Sequence, residues 1–279
     1  MVDRLVPTHH APTISIDDPT DPRISVFLGL RDHVARQERE LPGGDMARSF
    51  IAEGDIVIER ALVAGFTLRS VLVAARRNRA LPAAIDAAIP IFAADDAVLT
   101  EITGRPELRD PIANFDRPEL PSAQSLLEQH NTFAVLEGIN NPNNLGVIMR
   151  NAAGLGIDAV LLDQTCGDPL YRRAIRASMG QVFALPHARL DPLPHSLGLL
   201  HDHGIETIAL TPQGDHDLSG LVTQPRVAVL LGAEGPGLTG ETIAACTHRI
   251  RIPMSADVDS LNVAAASAIA FHHVAETHR

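Results

Sequence analysis

A chain of 279 residues suits two domains at roughly 100–200 residues each. Apolar residues make up 45% and no run of ~18 or more uninterrupted apolar residues occurs, so neither a disordered chain nor a membrane span is expected. The net charge of −11 argues against a protein that coats nucleic acid by bulk attraction, yet every one of its 23 Lys-or-Arg positions is arginine.

Residues 1–22 are rich in Pro, Asp, Thr and His without periodicity and read as a flexible arm. The opening MVDRLVPTHHAPT lacks the charged-then-apolar layout of a signal peptide. Residues 23–108 read as a small α/β domain. FIAEGDIVIERALVAG suggests a helix passing into another segment, SVLVAA a buried strand and LPAAIDAA a short helix. IPIFAA reads as a strand, and DDAVLTEITG as a helix with Asp at its start. Between Arg60 and Ile85 stand Arg60, Arg69, Arg76, Arg77 and Arg79 and no acid. That basic stretch reads equally as a solvated face or a phosphate-binding one. RPELRDPIANFDRPELPSAQ, with four prolines, places a linker over 109–129. The two cysteines, Cys166 and Cys246, have no metal-type spacing, so no metal is expected and a reducing cytoplasm suits them.

Over residues 130–279 short apolar runs recur between helical patterns: FAVLEGI, DAVLLD, ETIALT, RVAVLLG and HRIRIP. Strands alternating with helices imply βα units and a mostly parallel sheet, which binds ligands in loops beyond the carboxyl ends of its strands. Three such loops stand out. In NNPNNLGVIMR, Asn143 or Asn144 is placed to cap a helix whose Leu145, Ile148, Met149 and Ala152 face the core. Gly146 and Arg150 share another face, and the glycine leaves room beside the arginine. Alone, this stretch reads as well as a capped helix with a solvated arginine. In LLGAEGPGLTGE, a glycine-rich turn carries one acid, Glu234, before a helix starting at Thr239 or Gly240. In RIPMSADVDSLNVAAASAIAFHH, a strand ends at IPM and Ser260-Leu261-Asn262 opens an alanine-rich helix.

Together these loops resemble the signature motifs of the SpoU (TrmH-type) RNA ribose 2′-O-methyltransferases of the SPOUT superfamily. Asn141, Pro142, Asn144, Gly146 and Arg150 match the first motif, with Asn141 where Asp is more usual. Gly232, Glu234, Gly235, Gly237 and Leu238 match the second. Ile252-Pro253-Met254 and Ser260-Leu261-Asn262-Val263 match the third, with Ala256 and Ala264 as departures. RASMGQVFALP at 176–186 is a looser similarity. The N-terminal part resembles, more softly, the ribosomal-protein-like RNA-binding domain that precedes the catalytic domain in many members.

The resemblance implies a SPOUT-type parallel sheet with a C-terminal trefoil knot, a homodimer formed through that domain, and methyl transfer from S-adenosyl-L-methionine (AdoMet) to a ribose 2′-hydroxyl. It implies cofactor contacts from Leu210, Thr211, Leu231, Gly232, Ala233, Gly235, Ile252, Pro253, Met254 and Leu261. Arg150 is implied next to the reacting hydroxyl, as a base or as a ligand of phosphate and oxyanion. Asn144, Glu234, Ser260 and Asn262 are implied to orient the reacting groups. The five arginines of the first domain gain a role in contacting RNA phosphates. Ribosomal RNA is the first expectation for the substrate. Transfer RNA, methylation at a base nitrogen and a non-catalytic RNA-binding member are the alternatives. An ordinary nucleotide-binding enzyme is disfavoured, because the chain has no phosphate-loop lysine.

Overall fold

The computed structural model describes residues 13–30, 38–40, 43–104, 107–255 and 258–278. The chain divides into two compact units, Met1–Pro118 and Glu119–Arg279. In chain order the first carries β1 (Thr13–Ser15), β2 (Ser49–Glu53), α1 (Asp55–Val63), β3 (Leu68–Ala74), β4 (Ile91–Ala94), α2 (Asp96–Thr103) and β5 (Ile112–Asp116). Among the described residues its sheet has the order β1-β4-β3-β5-β2. The β1–β4 and β4–β3 pairs are parallel, whereas β5 runs antiparallel to both β3 and β2.

Four segments of this unit differ from the sequence expectation. The opening FIAE of FIAEGDIVIERALVAG belongs to strand β2, and Gly54 at φ 99° makes the break before α1. LPAAIDAA forms turns and no helix: Ile85 N–H bonds the Pro82 carbonyl, and the Asp86 carboxylate accepts from Ala88 N–H at 2.8 Å. Such side-chain bonds offer the backbone an alternative to the helix. The expected linker 109–129 contains β5, whose Ile112, Ala113, Asn114 and Phe115 are all buried between two partner strands. The expected arm 1–22 contains β1 and the buried Ile16; its residues 1–12 lie outside the described residues.

The second unit carries α3 (Ala123–Gln129), β6 (Thr132–Glu137), α4 (Pro142–Gly154), β7 (Ala159–Leu162), α5 (Arg172–Ala177), β8 (His187–Arg189) and α6 (Leu197–Asp202). It continues with β9 (Glu206–Leu210), β10 (His216–Asp217), β11 (Val227–Gly232), α7 (Gly240–Ala245), β12 (His248–Arg251) and α8 (Val263–Thr277). Helix α3 also falls in the expected linker; Ser122 caps it by accepting from Ser125 N–H. Among the described residues the sheet order is β10-β12-β9-β11-β6-β7-β8, and every pairing is parallel. Strands β6, β7 and β11 are buried along almost their whole length, as sheets covered on both faces require. Phe133, Val135, Leu161, Leu230 and Ala209 form the core under α3 and α6. No helix among the described residues is long and apolar enough to cross a membrane.

The order matters for the site. Strand β11 lies between β9 and β6, with Leu231 opposite Leu136 and Gly232 opposite Glu137. The three distinctive loops therefore leave adjacent or nearby strands at the same end of the sheet.

Candidate active site

Helix α4 begins where the backbone requires it to. Asn141 is its cap: Oδ1 accepts from Asn143 N–H at 2.9 Å and from Asn144 N–H at 3.4 Å. Pro142 takes the first helical position, where a missing N–H costs nothing, so the cap stands before it and not at Asn143 or Asn144. A cap contributes about 1 kcal/mol, whereas burying one side chain such as Leu145 or Ile148 contributes about 1.5–3 kcal/mol. Packing thus sets where α4 lies, and the cap sets where it starts.

Helix α8 is joined to α4 at two heights. Asn262 caps α8, its Oδ1 accepting from Ala264 N–H (2.9 Å) and Ala265 N–H (3.4 Å). The same side chain donates from Nδ2 to Asn144 Oδ1 at 3.2 Å. Two turns further on, Asn151 Nδ2 donates to the Ala264 carbonyl (2.8 Å) and to Ser267 Oγ (2.9 Å). Asn144 and Asn151 are seven apart and so lie on one face of α4. The role of Asn151 was not expected from the sequence, although its helical spacing from Asn144 was there to be read.

Gly146 does not leave room for a ligand beside Arg150. A Cβ there would lie 2.4 Å from the Ala174 carbonyl oxygen and 2.6 Å from Ala177 Cβ. The glycine is needed because α5 packs directly against α4. Arg150, one turn on, is exposed and has no hydrogen bond or ion pair among the described residues.

Beyond the carboxyl ends of β9, β11 and β12 is a cavity of about 490 Å3. Leu210, Thr211, Leu231, Gly232, Ala233, Gly235, Ile252, Met254 and Leu261 line it; Pro253 does not. Glu234, Ser260 and Asn262 line it too, together with Gln213, Asp259 and Val263, which were not expected. Gly232 is obligatory here, because a Cβ would lie 2.0 Å from Leu238 N where the turn folds back. A second cleft of about 260 Å3 adjoins it, walled by Gly138 to Asn141 and sharing Ala233, Glu234 and Val263 with the first. Asn144 reaches the site through Asn262, whereas Arg150 lines neither cavity. Ala256 lies outside the described residues, and Ala264 is buried with its carbonyl bonded to Asn151.

Neither thiol is placed to act as a nucleophile. Burial pushes Cys166 up to about 12, helped by the neighbouring Asp163 carboxylate, and burial pushes Cys246 up to about 12. Cys166 instead serves the turn after β6, accepting from Ile139 N–H and donating to the Leu136 carbonyl.

Of Arg60, Arg69, Arg76, Arg77 and Arg79, the last four meet acids that lie far off in sequence. Arg69 pairs with Asp116, and Arg76 with Asp96 (2.8 Å) and Glu107 (3.3 Å). Arg77 and Arg79 both face Asp55, at 2.8 and 3.6 Å. Arg60 is also engaged. The stretch without acids in sequence is therefore not an unpaired basic patch in space.

The fold and the cavity define an α/β protein that takes a small ligand in the loops beyond the carboxyl ends of a parallel sheet. The chain belongs to the SpoU rRNA methylase family, whose model matches residues 131–272. It is 40% identical over 262 residues to an uncharacterised tRNA/rRNA methyltransferase of Mycobacterium tuberculosis, covering 91% of this chain and 89% of the relative. It is 32% identical over 146 residues to the 23S rRNA (guanosine-2′-O-)-methyltransferase RlmB of Vibrio parahaemolyticus, covering 52% of this chain and 59% of that protein. Its fold is that of the crystal structure of an AdoMet-bound rRNA methyltransferase from Sinorhizobium meliloti. The TM-score is 0.76 at 24% identity, over 95% of this chain and 98% of the other.

Proposed function

We propose that this chain, an RNA methyltransferase by family, transfers a methyl group from AdoMet to a ribose 2′-hydroxyl of structured RNA, with ribosomal RNA as substrate and the cytoplasm as its setting. A contrast of charge carries the reading. Among the described residues the 490 Å3 cavity is lined by two carboxylates, Glu234 and Asp259, and by no cation. Arg150 stands outside it, exposed and unpaired. An acidic pocket without cations favours a positively charged small molecule and disfavours a nucleotide polyphosphate. An unpaired guanidinium beyond it suits a phosphodiester. The volume is within the range of about 300–1,000 Å3 for small-molecule sites. Leu210, Leu231, Met254 and Leu261 give apolar walls, and the glycine turn exposes main-chain groups able to read an adenine.

AdoMet, when bound, supplies a methyl group activated by its sulfonium charge. As the 2′-oxygen takes the methyl group, the bond to sulfur breaks, the neutral thioether leaves and the hydroxyl proton passes to solvent. A guanidinium holds its proton too firmly to be a good base. We therefore assign Arg150 to hold the adjacent phosphate and to stabilise charge developing on the 2′-oxygen. Asn144, fixed by Asn262, faces the ribose; Glu234, common to both cavities, and Ser260 orient the hydroxyl and the methyl donor.

The same reading assigns three larger features. The segment from β11 through α8 forms a trefoil knot, supported by the entry of β11 between β9 and β6 and the return of α8 to α4 and β11. Two copies associate through this unit, supported by the outward Ala265 and Ile269 of α8, the latter 43% exposed. The first unit is a ribosomal-protein-like domain that contacts RNA through Arg60, Arg69, Arg76, Arg77 and Arg79, and Arg79 is the most exposed of those paired with an acid in this segment. The 23S rRNA named for the Vibrio relative supports ribosomal RNA, and the tRNA/rRNA name of the mycobacterial one keeps transfer RNA as the second reading.

The test is incubation of the purified protein with methyl-labelled AdoMet and separate rRNA and tRNA fractions, followed by alkaline hydrolysis. Label is expected in rRNA, in dinucleotides that resist alkali. Label released in mononucleotides carrying a methylated base would overturn the ribose assignment, and label in tRNA alone would replace the substrate.

A further inference from the structure

Glu137 ends β6 and is only 7% exposed, yet it lines neither cavity of the site. Its carboxylate is surrounded by donors from the start of α7. Thr239 N–H donates to Oε2 at 2.8 Å, the Thr239 hydroxyl lies 3.0 Å from Oε1, and the Thr242 hydroxyl donates to Oε1 at 2.7 Å. Thr239 is also the cap of α7. A carboxylate is the side chain that suits this place, since its two oxygens accept three donors without turning an N–H towards them.

The glycine turn Ala233–Leu238 runs between β11 and this cap, and every one of its residues lines the larger cavity. The turn has few ties of its own: Gly237 N–H bonds the Ala233 carbonyl at 2.9 Å, and Gly235 and Gly237 hold left-handed conformations. Its entrance is fixed because Gly232 pairs with Glu137 across β11 and β6. Its exit is fixed because the Glu137 side chain holds Thr239. One residue thus anchors both ends of the turn, through its backbone at one end and its carboxylate at the other.

We propose that Glu137 is a positioning residue that sets the shape of the cofactor-binding turn without touching the cofactor. The inference rests on the reading that the larger cavity binds AdoMet. Calorimetry and initial rates on Glu137→Ala, Glu137→Gln and Thr242→Val test it. Glu137→Ala is expected to raise both the Kd and the KM for AdoMet by about tenfold or more, the effect of losing one or two buried hydrogen bonds. The rate at saturating AdoMet and the KM for RNA stay near those of the unaltered protein. Glu137→Gln restores most of the affinity by keeping an acceptor for Thr239 N–H, and Thr242→Val gives a smaller loss of the same kind. A folded Glu137→Ala with unchanged AdoMet affinity overturns the proposal, as does a lowered rate at saturation with affinity intact. If Glu137→Ala does not fold, the Gln and Val variants decide on the same readouts.

Failure of the underlying reading is distinguishable, because the unaltered protein then binds no AdoMet. Amide hydrogen exchange without cofactor still tests the anchor. Faster exchange confined to 233–242 in the Gln, Val or Ala variant supports it, and unchanged exchange there overturns it.

Discussion

The arginines of segment 60–79 and two of those in helices α4 and α5, Arg150 and Arg176, are matched in residue type and opposite in surroundings. In the first group Arg69, Arg76, Arg77 and Arg79 pair with Asp55, Asp96, Glu107 and Asp116, and Arg60 is also engaged. In the second, Arg150 and Arg176 are exposed and have no partner among the described residues. The difference teaches that available charge is a property of the fold. A run of arginines can be neutralised by acids tens of residues away, while a single arginine in an apolar helix keeps its full field for a ligand.

The sharpest way to break the comparison is Arg150→Ala. Methyl transfer should fall by about 100–1,000-fold, as when a donor to a developing oxyanion is removed. AdoMet affinity by calorimetry should stay level, and stability should move by no more than about 0.5 kcal/mol. A rate equal to that of the unaltered protein would place the chemistry elsewhere. Arg77→Ala should act on the opposite quantity. Its side chain is 9% exposed against a 14% exposed Asp55, so its loss should cost about 2–3 kcal/mol in urea unfolding, below the usual cost of breaking a buried pair. The reduction comes from Arg79, 3.6 Å from the orphaned carboxylate.

Arg176→Ala should weaken RNA binding a few-fold and lower the slope of log Kd against log salt by about one, as the loss of one phosphate contact does. The smallest effect belongs to Arg69→Ala. Its exposed pair with Asp116 contributes at most about 1 kcal/mol to stability, and the salt slope should fall by less than in Arg176→Ala, because the carboxylate already occupies part of the guanidinium. Asp116→Asn sharpens the point: releasing the Arg69 charge should tighten RNA binding, and a binding curve unmoved by it would show that this face does not meet RNA.

The catalytic half was the more legible part of the sequence, for a physical reason. Its signals are local: a proline fixes the start of α4, glycines mark the turn after β11, and an amide opens α8. All but Pro253 of the residues expected around a cofactor line one cavity. What the sequence hid was non-local. Ile112–Asp116 sits among prolines and is buried on both sides, so it has no period-two pattern to mark it as a central strand. The partners of Arg69 and Arg76 stand 47 and 20 residues away. Gly146 could be read as open space or as a helix contact, and only the position of Ala174 and Ala177 decides between them.

The junction of α4 with α8 has one more consequence. It is made by Asn144, Asn151, Asn262, Ser267 and a backbone carbonyl, none of which titrates between pH 5 and 9. The hydrogen bonds that join α4 to the start of the last helix are therefore independent of acidity over that range. An acid or alkaline limb in the pH–rate profile of this protein therefore does not arise from these bonds.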